Sequence, residues 1–284
     1  MKLRVLHRTT YRYARPAYDS FNEVRLQPIE HHWQKRLSYD LRSNPISARG
    51  GYLDLYLNAV DVLEYTQPHE TLEIEAESTV ETTTRTLPGP EDPAGLNDPA
   101  YALQLHDFLV DSHYVQLSPD LWRQAVDCLP NGVTDLWQDS VTLSHWIYDH
   151  FEYAPGSTHA HTTVNEALSK RQGVCQDFAH VLLGLCRSLK IPARYVSGYF
   201  FNEEFDPSQG GSEASHAWVE IFLPTVGWYG IDPTHRRPVD ERYISIAVGR
   251  DYADIRPVSG TYRGAPERTM EIFVRVSQDL PTNA

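Results

Sequence analysis

Polar and apolar residues alternate through the first third of the chain. "LRVLHRTTYRY" alternates near the start, and "LDLYLNAVDVLEY" sets Leu53, Leu55 and Leu57 on one side. "TLEIEAESTVETTTRTL" sets Leu72, Ile74 and Ala76 against Glu73, Glu75 and Glu77. A period of two with β-branched and aromatic residues predicts half-buried antiparallel strands. Residues 1–90 are thus expected to form a β-rich, sandwich-like N-terminal domain. The run "PGPEDPAGLNDP", from Pro88 to Pro99, then breaks the pattern and marks a loop and a domain boundary.

Beyond it the period becomes helical. In "SPDLWRQAVDCL", Ser118 is placed to cap and Pro119 to start the first turn, followed by Leu121, Trp122, Ala125, Val126 and Leu129. "DLWQDSVTLSHWIYDHF" is a second helix, and "TTVNEALSK" opens on a capping box of Thr163 and Glu166. The strongest pattern lies in "GVCQDFAHVLLGLCRSLKIPARY". There Phe178, Val181, Leu182, Leu185, Cys186 and Leu189 recur at helical spacing until Pro192 ends the run. Strands are predicted in "ARYVSGYF", "SHAWVEIFL" and "GWYGIDP", and late in the chain in "ERTMEIFVRVS". The expected fold class is α+β, with residues 91–284 as a core that has a helical lead-in and a C-terminal strand.

Composition narrows the classes. Of 284 residues, 41% are apolar and 22% charged, a globular balance. The formal net charge of -13, with no basic cluster, argues against nucleic acid and anionic membrane surfaces as partners. No apolar run reaches the roughly 18 residues of a spanning helix. "MKLRVLHRTTYRYARP" lacks the apolar centre of a signal peptide. The three cysteines form no CxxC pair, and Cys175 and Cys186 would lie about 16 Å apart along one helix, too far to bond. The chain is expected to be cytoplasmic, with reduced cysteines.

Those two cysteines differ in setting. Cys186 falls on the apolar stripe and reads as a small core residue, as does Cys128. Cys175 precedes the stripe, just after Gly173, at the start of a helix. Free N–H groups and partial positive charge there favour a thiolate and an oxyanion. By itself, Cys175 reads either as a nucleophile or as another buried thiol.

A nucleophile needs a base and a group that orients the base. On a strand over "SHAWVEIF", His216, Trp218 and Glu220 share one face, and Ala217, Val219 and Ile221 share the other. Asp232 in "VGWYGIDPT" ends the next strand, where it either starts a turn or holds the far nitrogen of His216. His180 lies about 140° round the helix from Cys175 and reads as packing. His159 and His161 alternate in "THAH" without a third ligand at convincing spacing, so no metal is expected. No phosphate-binding or dinucleotide motif is present, and no cofactor is expected.

"GVCQDFAHVLLGLCRSLKIPARYVSGY", "ASHAWVEIFLPTVGWYGIDPT" and "DERYISIAVGRDYADIRPVSGTYRG" resemble, in that order, bacterial proteins of the transglutaminase-like superfamily. "HRTTYRYARPAYDSFNEVRLQP" resembles the β-rich domain that precedes the core in those proteins. The resemblance covers nearly the whole chain. It departs in "RGGYLDLYLNAVDVLEY", where the family more often has an Asp followed by a Gly-Asn turn. The resemblance implies a papain-like/transglutaminase-like core with Cys175 as nucleophile, His216 as base and Asp232 as its orienting acid. It also implies an upstream oxyanion donor, for which Tyr153 and Trp146 are candidates beside ordinary packing roles. Trp218, Trp228, Arg194 and Tyr199 are candidates to line a cleft.

The expected chemistry is acyl transfer at an amide of a peptide, protein or small molecule. Water as acceptor gives a cysteine peptidase or amidase, the preferred reading. An amine as acceptor gives a transglutaminase. A peptide-binding module without activity and a metal-dependent hydrolase are the remaining classes.

Overall fold

The computed structural model describes residues 1–202 and 215–279. The first sheet is built from β1 (Lys2–Val24), β2 (Gln34–Asn44), β3 (Ala48–Leu53), β4 (Ala59–Tyr65) and β5 (His69–Thr82). Along β5 the expected alternation holds: Leu72, Ile74 and Ala76 are buried, and the glutamates between them are more exposed. The stretch 53–58 departs from it. β3 ends at Leu53, Leu57 has φ +65°, and Leu55 and Leu57 are 80% and 74% exposed. The predicted single strand is therefore a hairpin, with Asp54 Oδ1 accepting from the N–H groups of Tyr56 and Asn58 in its turn.

Helices follow: α1 (Pro99–Gln104), α2 (Pro119–Cys128), α3 (Leu136–His150), then the short strand β6 (Glu152–Tyr153), α4 (Val164–Lys170) and β7 (Gln172–Gly173). Ser118 caps α2 through the Leu121 N–H, and Thr163 with Glu166 forms the capping box of α4. The central helix is α5 (Cys175–Ser188). The core sheet holds β8 (Ala193–Phe200), β9 (Ser215–Leu223), β10 (Gly227–Asp232), β11 (Arg237–Pro238) and β12 (Tyr243–Gly249), in the order β11-β10-β9-β8-β12. Ala217, Val219 and Ile221 pack in one cluster with Phe178, Leu182 and Leu185 of α5, and Trp218 belongs to a separate cluster on the opposite face. At its far end, α5 is pinned by buried Arg187, whose guanidinium donates to the carbonyls of Ala193, Val110 and Arg250.

The last two strands, β13 (Val258–Arg263) and β14 (Arg268–Gln278), pair antiparallel with β1. The C-terminal strand thus extends the N-terminal sheet, whereas the sequence placed it with the core. The two sheets are also joined by side chains. β12 is an edge strand, and its free backbone groups are matched by two amides. Gln34 gives and takes a hydrogen bond at Ser245, each 2.8 Å long, and Asn58 does the same at Val248. An edge that would otherwise invite another strand is closed within the chain. His7 Nδ1 meets Tyr199 Oη at 2.8 Å across the same junction. No helix among the described residues is long and apolar enough to cross a membrane.

Candidate active site

The approach to Cys175 is fixed by close contacts. Arg171 closes α4 in a left-handed conformation, and β7 pairs in parallel with β6, so Tyr153 lies opposite Gly173. Val174, extended at φ -115°, leads into Cys175, the first residue of α5. Valine offers no capping oxygen, and Asp177 supplies one instead. Its Oδ2 accepts from the Val174 N–H at 2.8 Å and from the Thr158 hydroxyl at 2.6 Å. Asp177 is buried, which raises its pKa, and those two hydrogen bonds offset part of the rise. A Cβ at Gly173 would stand 2.6 Å from the Asp177 Cβ, so this approach requires glycine. Bonding back to the Val174 carbonyl begins at the N–H groups of Asp177 and Phe178. The N–H groups of Cys175 and Gln176 precede that first acceptor and are the natural donors for an oxyanion.

His216 comes from β9 and Asp232 from the end of β10, which are neighbours in the sheet. His216 Nε2 lies 2.7 Å from Asp232 Oδ2. That contact occupies Nε2 and leaves Nδ1 for the thiol. His216 is 6% exposed and Asp232 is 0% exposed. Burial alone would lower the His216 pKa. The Asp232 charge and hydrogen bond, with smaller contributions from a hydrogen bond and charge of Cys175, outweigh it and raise the value to about 10. Burial of Asp232 acts to raise its pKa, but His216 and His235 overcome it and hold the carboxyl far below the usual range. The helix head, the histidine and the aspartate expected from the sequence are therefore brought together.

Asp232 has two further side-chain partners that the sequence reading missed. His235 Nδ1 and Tyr243 Oη each lie 2.7 Å from Oδ2. Oδ1 accepts from the N–H groups of Thr234 and His235, closing a tight turn. His235 could have been found, since it follows Asp232 by three residues in an Asp-Pro-Thr-His turn. Tyr243 comes from β12 at the far side of the sheet and has no local signal. Phe200 packs on both, with ring centroids 4.8 Å from His235 and 4.7 Å from Tyr243.

The other candidates divide. His180 is fully buried, stacks on Tyr114, and accepts from the Tyr252 N–H through Nε2, so it packs as expected. Cys186 is buried and its thiol is pushed up to about 12 by desolvation. Trp146 stacks on His150 with centroids 5.0 Å apart and lies under the Arg171 guanidinium. Tyr153 stays beside the helix head and is half exposed, edge-on to Phe178. Trp218 is fully buried rather than lining a cleft, and Tyr199 is buried against His7. Trp228 and Arg194 do line a cavity, with the guanidinium 4.3 Å from the ring centroid. His159 and His161 bond Thr162 and Tyr114 instead of converging on a metal position. Among the described residues the grouping with ligand spacing is His216, Asp232 and His235, whose ligand atoms lie within 4.8 Å of one another. Both of those imidazole nitrogens already bond one carboxylate oxygen.

A family profile described as the transglutaminase-like superfamily matches residues 127–233, a span holding Cys175, His216 and Asp232. A second, described as the bacterial transglutaminase-like N-terminal region, matches residues 3–81. An uncharacterized protein of Mycobacterium leprae is 31% identical over 98% of this chain and 99% of its own length. A protein-glutamine gamma-glutamyltransferase of Pseudomonas aeruginosa is 30% identical over 135 residues, 44% of this chain and 20% of that protein. The crystal structure of a candidate cysteine protease from Cytophaga hutchinsonii superposes with a TM-score of 0.79 at 24% identity, covering 100% of this chain and 92% of that one. That last likeness is one of fold.

Proposed function

Because the chain belongs to the transglutaminase-like superfamily, we propose that it is a thiol-dependent acyl-transfer enzyme acting on an amide or peptide bond through Cys175, His216 and Asp232. The observation that carries this reading is the His216–Asp232 contact of 2.7 Å, on a histidine whose pKa is raised chiefly by Asp232 and in smaller part by Cys175. In the proposed cycle the proton of Cys175 is already held on His216 Nδ1 as a thiolate–imidazolium pair, and the Cys175 sulfur attacks the carbonyl carbon. The oxyanion accepts from the N–H groups of Cys175 and Gln176. The C–N bond then breaks, Nδ1 gives its proton to the leaving amine, and a thioester remains. A water molecule deprotonated by His216 attacks the thioester, releases the carboxylic acid and restores the thiol. Asp232 keeps the imidazole oriented and stabilises its charged form throughout.

Hydrolysis is the preferred outcome, on a peptide, protein or small amide in the cytoplasm. The gamma-glutamyltransferase relative favours a second reading in which a primary amine takes the acyl group from the same thioester. A glutamine-containing protein incubated with a fluorescent primary amine separates them. Ammonia release or chain cleavage without label means hydrolysis, and covalent label means transfer. Loss of both in Cys175→Ala is expected for either. Absence of both in wild-type protein across a peptide and amide panel, with Cys175 no more reactive than an ordinary thiol, would leave a non-catalytic peptide-binding role.

A further inference from the structure

The face of β9 that carries His216 continues past buried Trp218 to Glu220. Four residues at roughly 3.3 Å each place Glu220 about 13 Å from the imidazole. There a cavity of about 390 Å³ lies between the core sheet and the loops of the N-terminal sheet. Its lining includes the apolar side chains of Trp228, Phe222 and Ile29. Arg85 lines it too.

Among the described residues, the acids around Arg85 are paired with other arginines. Glu220 Oε2 is held by Arg194 at 2.6 Å. Glu30 pairs with Arg36 at 3.3 Å, and Asp240 is bound by Arg242. Arg85 feels Glu220 and Asp240 through space, yet makes no hydrogen bond or ion pair among the described residues. Its half-buried guanidinium is a positive charge with no dedicated partner among the described residues. Two donors beside it are also unmatched. His31 Nδ1 accepts from the Trp33 N–H at 3.2 Å, so its proton sits on Nε2. That Nε2 and the indole Nε1 of Trp33 are buried without partners among the described residues. Burial lowers the His31 pKa to about 4, which leaves the ring neutral.

We infer that this cavity is a binding site for a small monoanion: a carboxylate on an aromatic or short aliphatic body, with the carboxylate on Arg85 and the body against Trp228. A guanidinium fork matches a carboxylate in two parallel hydrogen bonds. A dianion is disfavoured, because buried Glu220 remains charged, its pKa lowered by Arg194 and Arg85 against the opposing effect of burial. The inference stands apart from the Cys175 reading and holds if that reading fails.

Phenylacetate and hexanoate, titrated into the full-length protein by calorimetry, test it. Ligands of this size are expected to bind with roughly millimolar affinity. Phenethylamine and inorganic phosphate are expected to bind more weakly than either. Arg85→Gln removes a charge but no hydrogen bond among the described residues, so the fold is kept while affinity falls about tenfold or more. In wild-type protein, phenylacetate should shift the indole signals of Trp33 and Trp228 and leave exposed Trp122 unchanged. The inference is overturned if neither carboxylate binds at concentrations of about ten times that affinity. Equal binding in Arg85→Gln, or shifts that spare Trp33 and Trp228, overturns it as well.

Discussion

His235 donates to the same Asp232 oxygen that holds His216, with its Nδ1 2.7 Å away. The carboxylate thus divides its charge between an imidazole that is buried and one that is 39% exposed. Removing His235 leaves more of that charge to His216. In His235→Phe the upper limb of the pH–activity profile is expected to move to higher pH, with a stability loss of about 1 kcal/mol. A loss of activity as complete as that of His216→Ala would mean that His235 does more than share the acid.

The three cysteines are expected to react unequally with iodoacetamide. Desolvation raises the thiols of Cys186 and Cys128, so both should label slowly near neutral pH. Cys175 is half-buried at a helix head and close enough to His216 to act on its charge, and should take most of the label. His216→Ala should slow it by about tenfold or more. Mass mapping of the alkylated peptides decides the matter, and equal slow labelling of all three would defeat the proposed thiolate–imidazolium pair.

Stability should fall on both sides of a plateau. Asp232 has a depressed pKa, so its contribution is whole above about pH 4 and is lost as the pH drops through the lowered value. His216 has a raised pKa, so its contribution is whole below about pH 6.5 and fades as the pH climbs through about 10. Urea midpoints across pH in wild type and His216→Gln read this directly. The alkaline decline should be absent from the variant, and an identical decline in both would assign it to other groups.

Gly198 lies opposite His216 on β8, and Trp218 lies across it. A Cβ there would stand 2.5 Å from Trp218 Cη2 and overlap the Ile244 carbonyl. Gly198→Ala is expected to cost about 3 kcal/mol or more in thermal or urea unfolding. Gly132→Ala, in open space at φ +75°, should cost about 1 kcal/mol from backbone strain alone. Similar costs at the two sites would show that both Trp218 and the Ile244 carbonyl can move aside.

The sequence by itself determined what is local. The stripe from Phe178 to Leu189 fixed a helix with one buried cysteine and one at its head. The alternation in "SHAWVEIF" fixed which face His216, Trp218 and Glu220 share. The resemblance paired Cys175 with His216 and Asp232 before any distance was known. Tertiary structure decided which strands meet. Half-buried strands with the same alternation fit any sheet with an open edge, so nothing local sent β14 back to β1 instead of into the core. The neighbouring strands β9 and β10 set the 2.7 Å between His216 and Asp232. Tyr243 reaches that carboxylate from another strand, and among the described residues Arg85 has no partner, while Glu30, Glu220 and Asp240 each hold a different arginine. Periodicity records how deeply a residue is buried, and long-range packing chooses what it is buried against.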